Sequence, residues 1–448
     1  MMFTSDRLLQ RLAELQGGVP PNRYLVAFSG GLDSTVLLHA LVEARARHGV
    51  PLVAVHCQHG LHPAAGEWEA HCERVAASLG VPFVARRLAI AGHAGRGLEA
   101  AAREARYAAL LALVADGDTV LSAHHEDDQA ETLLLNLLRG SGAGGVAGIG
   151  AVLAFGSGRL CRPLLDVPRR ELLRYARDAH LDWVDDPSNA DMRFDRNWLR
   201  HEIMPRLEAH WPGAAARLRR SAGLASEASE LLNELADLDL AQAARPPGQT
   251  DTIDVPALRS LSPARQRNAL RRAIARRGLP PPPARRLVEA VETLLPASED
   301  AQPLVSWPGA ELRRYRDRLF LLPSPAVAAR ARSLLLQADG TPLSLGPGLG
   351  SLTLSADSRG GIGRDRIGDG LEVRFRAGGE RLRPHGRRET HRLKKLLQDE
   401  SIVPWMRASI PLLYANGTLV AVGDLWVEHS AWSASGLAVR WHDRPRLR

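Results

Sequence analysis

The sequence predicts an α/β protein: a first domain built on a parallel sheet, then a helical middle domain, then a small α+β domain. Three observations carry this reading. Strand and helix patterns alternate through the first third of the chain. After Trp211-Pro212-Gly213 the pattern turns to helices rich in Ala, Leu and Arg. From about Leu371 short period-2 alternation returns. At 448 residues the chain exceeds one ordinary domain. The expected division is 1–212 for the sheet domain, 213–325 for the helical domain, 326–370 for a linker with some strand, and 371–448 for the last domain.

The elements follow in order. Residues 24–28 (YLVAF) are a short apolar run ending at Ser-Gly-Gly, and 34–48 continue with helical spacing of Val36, Leu37, Leu38, Leu41 and Val42. Residues 51–57 (PLVAVHC) read as a second buried strand, 67–79 as a helix, 83–88 as a third strand and 98–114 as an alanine-rich helix. Residues 119–123 (TVLSA) read as a fourth strand and 127–139 as the helix after it. Strands joined by helices of this length imply parallel βαβ units, whose ligands lie outside the carboxyl ends of the strands. The residues after Phe28, Cys57 and Ala123 are therefore the candidates for chemistry. In the middle domain, helices are expected over 214–240 and 256–295, broken by prolines 280–283, with one strand over 312–323 closing it.

Composition narrows the class. Hydrophobic residues are 45% and charged residues 24%, normal for a protein with real cores, and the net charge of +8 suits a polyanionic partner such as RNA. The three cysteines, Cys57, Cys72 and Cys161, form no CxxC pair, which argues against a disulfide framework or a cysteine-rich zinc site. The N-terminal stretch is charged rather than apolar. The uncharged run from 140 to 158 is too glycine-rich to span a bilayer. A soluble cytoplasmic protein is expected, with no membrane partner. Homodimerisation stays open at this level.

Ser29-Gly30-Gly31-Leu32-Asp33-Ser34 lies between the first strand and its helix. Glycines let the backbone approach a ligand, and the amides opening the helix carry partial positive charge suited to phosphate. Ser29 and Ser34 add hydroxyl donors. Asp33 repels phosphate directly but can hold Mg²⁺ on it. A plain βα turn would explain two glycines alone, but not the whole string. Neither a Walker loop nor a dinucleotide fingerprint is present. After the fourth strand, His124, Asp128 and Glu131 are spaced i, i+4, i+7 and share one face if the helix begins near His124. Asp128 and Glu131 form an acidic pair suited to an ammonium group or to Mg²⁺. The bland alternative is helix capping by Asp127 with solvated acids behind it. A metal centre on His-His-x-Asp-Asp is a second alternative.

The S-G-G-x-D-S string resembles the loop of the N-type ATP pyrophosphatases, the PP-loop family, which cleave ATP between its α and β phosphates. The string H-H-x-D-D-Q-x-E-T at 124–132, followed by L-L-x-x-L-x-R-G-S-G, narrows the resemblance to the tRNA(Ile)-lysidine synthases. So do A-R-E-A-R-Y at 102–107, R-P-L-L at 162–165, D-D-P-S-N at 185–189 and D-R-N-W-L-R at 195–200. In the C-terminal part the matching strings are V-R-F-R-x-G-G-E-R at 373–381, L-K-K-L at 393–396 and P-W-x-R at 404–407. The resemblance implies an adenine nucleotide α-hydrolase-like fold and ATP-dependent joining of L-lysine to C2 of the wobble cytidine of a CAU-anticodon tRNA(Ile). It implies an adenylated intermediate and release of AMP and pyrophosphate.

It further implies that 29–34 bind ATP with Asp33 positioning Mg²⁺, and that Asp33, His124 and Arg196 are catalytic. By the same resemblance Arg103 or Arg106 contacts ATP or the adenylate, and Asp128 and Glu131 receive the lysine.

Between Arg374 and Lys395 there are nine Lys or Arg and two acids. A solvated charged face is the usual reading of such a run. Its alternation with Gly and Pro favours phosphate contacts, with Arg387, Arg388, Lys394 and Lys395 as candidate tRNA-binding residues. By resemblance this domain grips the acceptor arm. Trp183, Trp198, Trp405 and Trp426 are candidate stacking platforms, with core packing as the alternative.

Overall fold

The structure, a computed structural model, describes residues 2–58, 60, 63–88, 98–243, 252–298, 301–324 and 333–445. They divide into two compact units, Met1–Leu232 and Asn233–Arg448.

The first unit opens with α1 (Ser5–Gln16), capped by the Thr4 hydroxyl, which accepts from the Arg7 amide. It continues through β1 (Arg23–Ala27), α2 (Leu32–Glu43), α3 (Arg45–His48), β2 (Leu52–Gln58), α4 (Ala65–Ser78), β3 (Phe83–Arg87), α5 (Leu98–Leu111), β4 (Asp118–Leu121) and α6 (Glu126–Leu138). The alternation expected from sequence is therefore present, with ends shifted by a few residues. A short α7 (Ala143–Val146) precedes β5 (Val152–Phe155) and β6 (Gly158–Cys161), a hairpin within the glycine-rich run. The sheet order is β3-β2-β1-β4-β6-β5; all neighbours are parallel except β5 against β6. β2 and β3 lie on one side of β1 and β4 on the other. The crevice between the carboxyl ends of β1 and β4 is thus the switch point where α/β sheets bind ligands.

α2 is apolar on nearly every face and buries Leu32, Val36, Leu37, Leu38, Ala40 and Leu41, as a helix enclosed on all sides must. It packs against α1 and against α8 (Arg169–Asp178). His39 Nδ1 lies 2.9 Å from the Tyr175 hydroxyl, which donates to Glu43 Oε2 at 2.8 Å. These bonds fix the helix whose first turn forms the wall of the crevice. Beyond α8 come α9 (Asp195–Trp198), a π-helical turn over Leu199–Ile203 and α10 (Met204–His210). The long α11 (Ala214–Gln242) then runs past the unit boundary.

In the second unit, β7 (Thr252–Asp254), α12 (Val255–Arg259), α13 (Pro263–Arg276), α14 (Ala284–Glu289), β8 (Leu304–Trp307), β9 (Ala310–Tyr315) and β10 (Arg318–Pro323) enclose a core of Leu258, Leu270, Ile274, Leu294 and Leu319. Residues 312–323, expected as one strand, are most of a hairpin: Arg316 takes φ +54° in the turn between β9 and β10. The rest of the unit is mostly strand.

Here β11 (Leu334–Leu336), β12 (Leu343–Ser344), β13 (Ser351–Ala356) and β14 (Gly361–Ile362), followed by the short α15 (Arg364–Ile367), lie in the stretch that reads from sequence as a linker. These strands join β15 (Leu371–Phe375), β18 (Pro411–Ala415), β19 (Thr418–Val422), β20 (Trp426–Val427), β21 (Trp432–Ser433) and β22 (Leu437–His442) in two five-stranded sheets, orders β11-β15-β18-β19-β20 and β12-β13-β22-β14-β21. One apolar core that includes Leu352, Leu371, Leu396, Leu412 and Trp441 serves both sheets. The pair β16 (Arg381–Leu382) and β17 (His391–Arg392) and the helix α16 (Leu393–Asp399) carry the basic run.

Candidate functional site

The loop 29–34 leaves β1 as a tight, self-bonded turn. Ser29 Oγ lies 3.1 Å from Ser34 Oγ, the Gly31 amide donates to Ser29 Oγ at 3.3 Å, and Ser34 Oγ donates to the Gly31 carbonyl at 3.0 Å. Gly30 sits at φ +81°, and a Cβ there would stand 2.7 Å from Cys72 Sγ, so the position needs glycine on two counts. The N-cap of α2 is Gly31, which offers no side chain to the first amides of the helix. Those amides remain directed at the crevice, the arrangement that takes phosphate. The Gly30 carbonyl accepts from the Val184 amide at 2.8 Å, which ties the loop to the segment preceding Asp186.

Opposite, α6 begins at Glu126 with His125 as its N-cap. His124 therefore precedes the helix, and the common face expected for His124, Asp128 and Glu131 holds only for the two acids. His124 Nδ1 bonds to Ser122 Oγ at 2.6 Å. Burial first, then the charges of Arg162, Arg196 and Arg103, lower its pKa to about 4 against the opposing pull of Asp128. Its imidazole is neutral at pH 7.

His125, which motif spacing alone does not single out, is 1% exposed and lies between carboxylates: Asp128 at 3.4 Å, Asp33 at 3.6 Å and Asp127 at 3.6 Å. Burial opposes its charge, but Asp128, Asp127 and Asp33 outweigh burial and raise its pKa to about 10. The ring is an imidazolium, and Nδ1 then donates toward Asp127 rather than accepting the Asp128 amide 3.4 Å away. Asp127 also accepts from the Arg169 amide at 2.8 Å. Through His125 the two sides of the crevice, Asp33 and the start of α6, are held together.

Asp128 and Glu131 are buried and faced by two arginines. Arg196 reaches Asp128 Oδ1 and Glu131 Oε2, both at 2.9 Å. Arg200 reaches Glu131 Oε1 at 2.7 Å, Glu131 Oε2 at 2.9 Å and Asp128 Oδ1 at 3.1 Å. Asp128 Oδ2 accepts the His125 amide at 3.0 Å. Although burial raises the pKa of Asp128, His125 and the arginines hold it well below the usual carboxylate range. Asn197, pinned to the Ser188 and Asp191 carbonyls at 2.8 and 3.0 Å, anchors α9 so that Arg196 and Arg200 face α6. Gln129 bonds both ways with Ile149, which fixes the glycine-rich run against α6.

Arg103 and Arg106 are exposed on α5. Arg103 lies over the Tyr107 ring, 5.3 Å from its centroid, and its charge acts on His124, whereas the charge of Arg106 acts on His56 and Cys57. Arg162 is 2% exposed. It donates to the Gly150 carbonyl at 2.5 Å and to the Tyr107 hydroxyl at 3.0 Å, while its Nε has no partner. A buried guanidinium held by neutral acceptors retains an uncompensated charge for an anion. For a cation, Asp33 Oδ1 is buried and lacks a hydrogen-bond partner. One such oxygen suits Mg²⁺, which binds through one or two carboxylates together with substrate phosphates and waters. Among the described residues no His, Cys, Asp and Glu cluster forms an all-protein metal set. Arg387, Arg388, Lys394 and Lys395 lie in the second unit and are exposed.

Residues 4–207 match the model of a PP-loop domain, 253–320 that of the TilS substrate binding domain and 371–441 that of the TilS substrate C-terminal domain. The chain is 45% identical over 451 residues to a tRNA(Ile)-lysidine synthase of Alkalilimnicola ehrlichii, covering 100% of this chain and 96% of the relative. The chain belongs to the tRNA(Ile)-lysidine synthase family. Synthases of Pseudomonas aeruginosa and Methylococcus capsulatus are 44% and 42% identical, each over 94% of this chain and covering 93% and 94% of the relative. The PP-loop match makes the first unit an ATP-binding one. Among the described residues no helix is long and apolar enough to cross a membrane.

Proposed function

We propose that the chain is a ligase that joins L-lysine to C2 of cytidine 34 in the CAU-anticodon tRNA(Ile), with ATP converted to AMP and pyrophosphate. One observation supports this most: the loop 29–34 and the start of α6 meet across the β1–β4 crevice through Asp33 and His125, 3.6 Å apart. Full-length relatives named tRNA(Ile)-lysidine synthase supply the substrate class. The product would read AUA instead of AUG.

The chemistry follows from the groups present. The cytidine O2 attacks the α phosphorus of ATP, and pyrophosphate leaves onto the amides and hydroxyls of 29–34. Asp33 would hold Mg²⁺ on the phosphates, where the cation neutralises charge on the departing group. His124, neutral and beside Arg103 and Arg162, faces the adenylated side as a hydrogen-bonding group rather than as a cation. Arg103 is the better placed of the α5 arginines for the adenylate, because its charge reaches His124. The ε-amine of lysine, ordinarily protonated with a pKa of about 10.4, must lose a proton before it attacks C2. AMP then departs with the former O2.

Asp128 and Glu131 are proposed to receive the lysine ammonium. Their oxygens are already shared between Arg196 and Arg200, so lysine binds by competing with an arginine for them. Incubation with ATP, labelled lysine and bulk bacterial tRNA, followed by digestion, should yield one labelled nucleoside at cytidine 34. Labelling that needs a sulfur donor instead, or none at all, refutes the assignment.

A further inference from the structure

His125 does more than join the two walls of the crevice, because one of its nitrogens serves two acids with different tasks. Nε2 stands 3.4 Å from Asp128 Oδ2 and 3.6 Å from Asp33 Oδ2, and among the described residues it has no other acceptor. Asp128 belongs to the pair proposed to receive lysine, and Asp33 is the carboxylate suited to Mg²⁺ on ATP. N–H···O bonds are best near about 2.9 Å, so the shared N–H satisfies neither acid fully. Whichever acid is drawn off by a ligand leaves the N–H to the other.

The ring cannot leave this competition by turning away. It is 1% exposed, so bulk water cannot replace a lost acceptor. His125 is the N-cap of α6: its amide donates to Asp128 Oδ2 at 3.0 Å, and its Nδ1 lies between the Asp128 amide at 3.4 Å and Asp127 Oδ2 at 3.6 Å. Asp127 is in turn anchored by the Arg169 amide at 2.8 Å. Asp128 Oδ1 is engaged by Arg196 and Arg200, which leaves Oδ2, beside Nε2, as the oxygen with capacity to spare. Asp33 is the looser partner. Its side chain is 27% exposed, its Oδ1 accepts no hydrogen bond, and Arg169 Nε stands 3.9 Å from that oxygen.

When Asp33 holds a divalent cation it no longer accepts from Nε2. The N–H then turns wholly to Asp128 and competes there with an incoming ammonium. When Asp128 receives an ammonium, the N–H turns to Asp33 and opposes a cation at that carboxylate. Each ligand therefore weakens the other, and by the same factor, since coupling between two binding sites is reciprocal. The order this imposes suits the chemistry. A lysine amine beside ATP would be a second nucleophile for the α phosphorus, in competition with the cytidine O2. Once pyrophosphate has left with its cation, Asp33 again accepts from Nε2, and Asp128 is free for lysine when the adenylated base is ready for it.

We infer that His125 is a positioning residue that sets lysine at Asp128 against metal-bound nucleotide at Asp33, so that lysine gains full affinity only after pyrophosphate leaves. This rests on the roles proposed above for the two acids. The test is calorimetric titration of lysine into the full chain, alone and with saturating Mg²⁺ and α,β-methylene ATP, which cannot be cleaved between its α and β phosphates. Wild-type protein should bind lysine about 5-fold or more weakly with the nucleotide present. His125→Asn keeps a capping oxygen near the place of Nδ1 but lacks the reach of Nε2, and should bring that ratio to within about twofold. His125→Gln, whose amide nitrogen reaches the place of Nε2, should restore most of the wild-type ratio. Far-ultraviolet circular dichroism matching wild type would verify that the variants fold. The coupling alone is overturned by a wild-type ratio near or below one, by an equal ratio in His125→Asn, or by a His125→Gln ratio no higher than that of His125→Asn. Wild-type protein that binds no lysine, or Asp128→Asn with unchanged lysine affinity, overturns the lysine-binding role of Asp128 with it.

Discussion

Two adjacent histidines carry opposite charge states. His125 is an imidazolium because three carboxylates outweigh its burial; His124 is neutral because burial and three arginines act together. Their contributions to stability have opposite signs in pH. A raised folded pKa gives His125 a contribution that is full below about 6.5 and fades as pH climbs toward about 10. A depressed one makes His124 cost stability as pH falls from about 6.5 toward about 4. His124→Asn should therefore flatten the acid limb of the stability profile, and His125→Asn the alkaline limb, in urea melts across pH. Asp33 gives the complementary functional test. Asp33→Asn should reduce lysidine formation by about 100-fold or more, the scale of removing one electrostatic catalytic group, while tRNA affinity in filter binding stays within about twofold. Near-normal turnover would remove Asp33 from the pyrophosphate site.

At the scale of elements, α6 and α9 form a clamp in which Arg196 and Arg200 grip Asp128 and Glu131. Glu131→Gln leaves two half-buried guanidiniums sharing one carboxylate and should cost about 3 kcal/mol in chemical denaturation, the low end of the penalty for breaking an ion pair whose acid is buried. Adding Arg200→Met should recover part of that loss, because the stranded charge goes with it. If lysine competes for these carboxylates, Arg200→Met alone should lower the KM for lysine and leave that for ATP unchanged.

This clamp also shows where sequence is legible. The acids stand out by their i, i+3 spacing, and D-R-N-W-L-R stands out as a motif. That Arg196 and Arg200 meet those acids depends on folding across some 65 residues, which periodicity does not encode. His125 escapes a count of helical spacing that starts from His124, because the cap places the helix start two residues later. The βαβ elements of the first unit are readable because each carries its own apolar period. The strands between 334 and 362 are not, since β13 finds its partner β22 more than 80 residues away and is only six residues long.

For the whole molecule, charge distribution separates affinity from chemistry. The 22 residues from 374 to 395 carry a surplus of seven positive charges, nearly all of the chain's +8. The crevice instead sets most of its arginines against Asp33, Asp127, Asp128 and Glu131, so its net charge is small beside that of the basic run. Counterion release from tRNA should accordingly depend on the C-terminal run. Replacing Arg387, Arg388, Lys394 and Lys395 together with glutamine should weaken tRNA binding and reduce the slope of log K against log salt by up to about 3.6, roughly 0.9 for each phosphate no longer neutralised. Turnover at saturating tRNA should stay close to wild type, because none of these residues lies in the unit that carries the crevice. An unchanged salt slope would take this surface out of the RNA interface. A fall in kcat without a change in slope would place it in the chemistry instead. The two parameters therefore decide whether the basic run recruits the RNA while the crevice is left to discriminate and react.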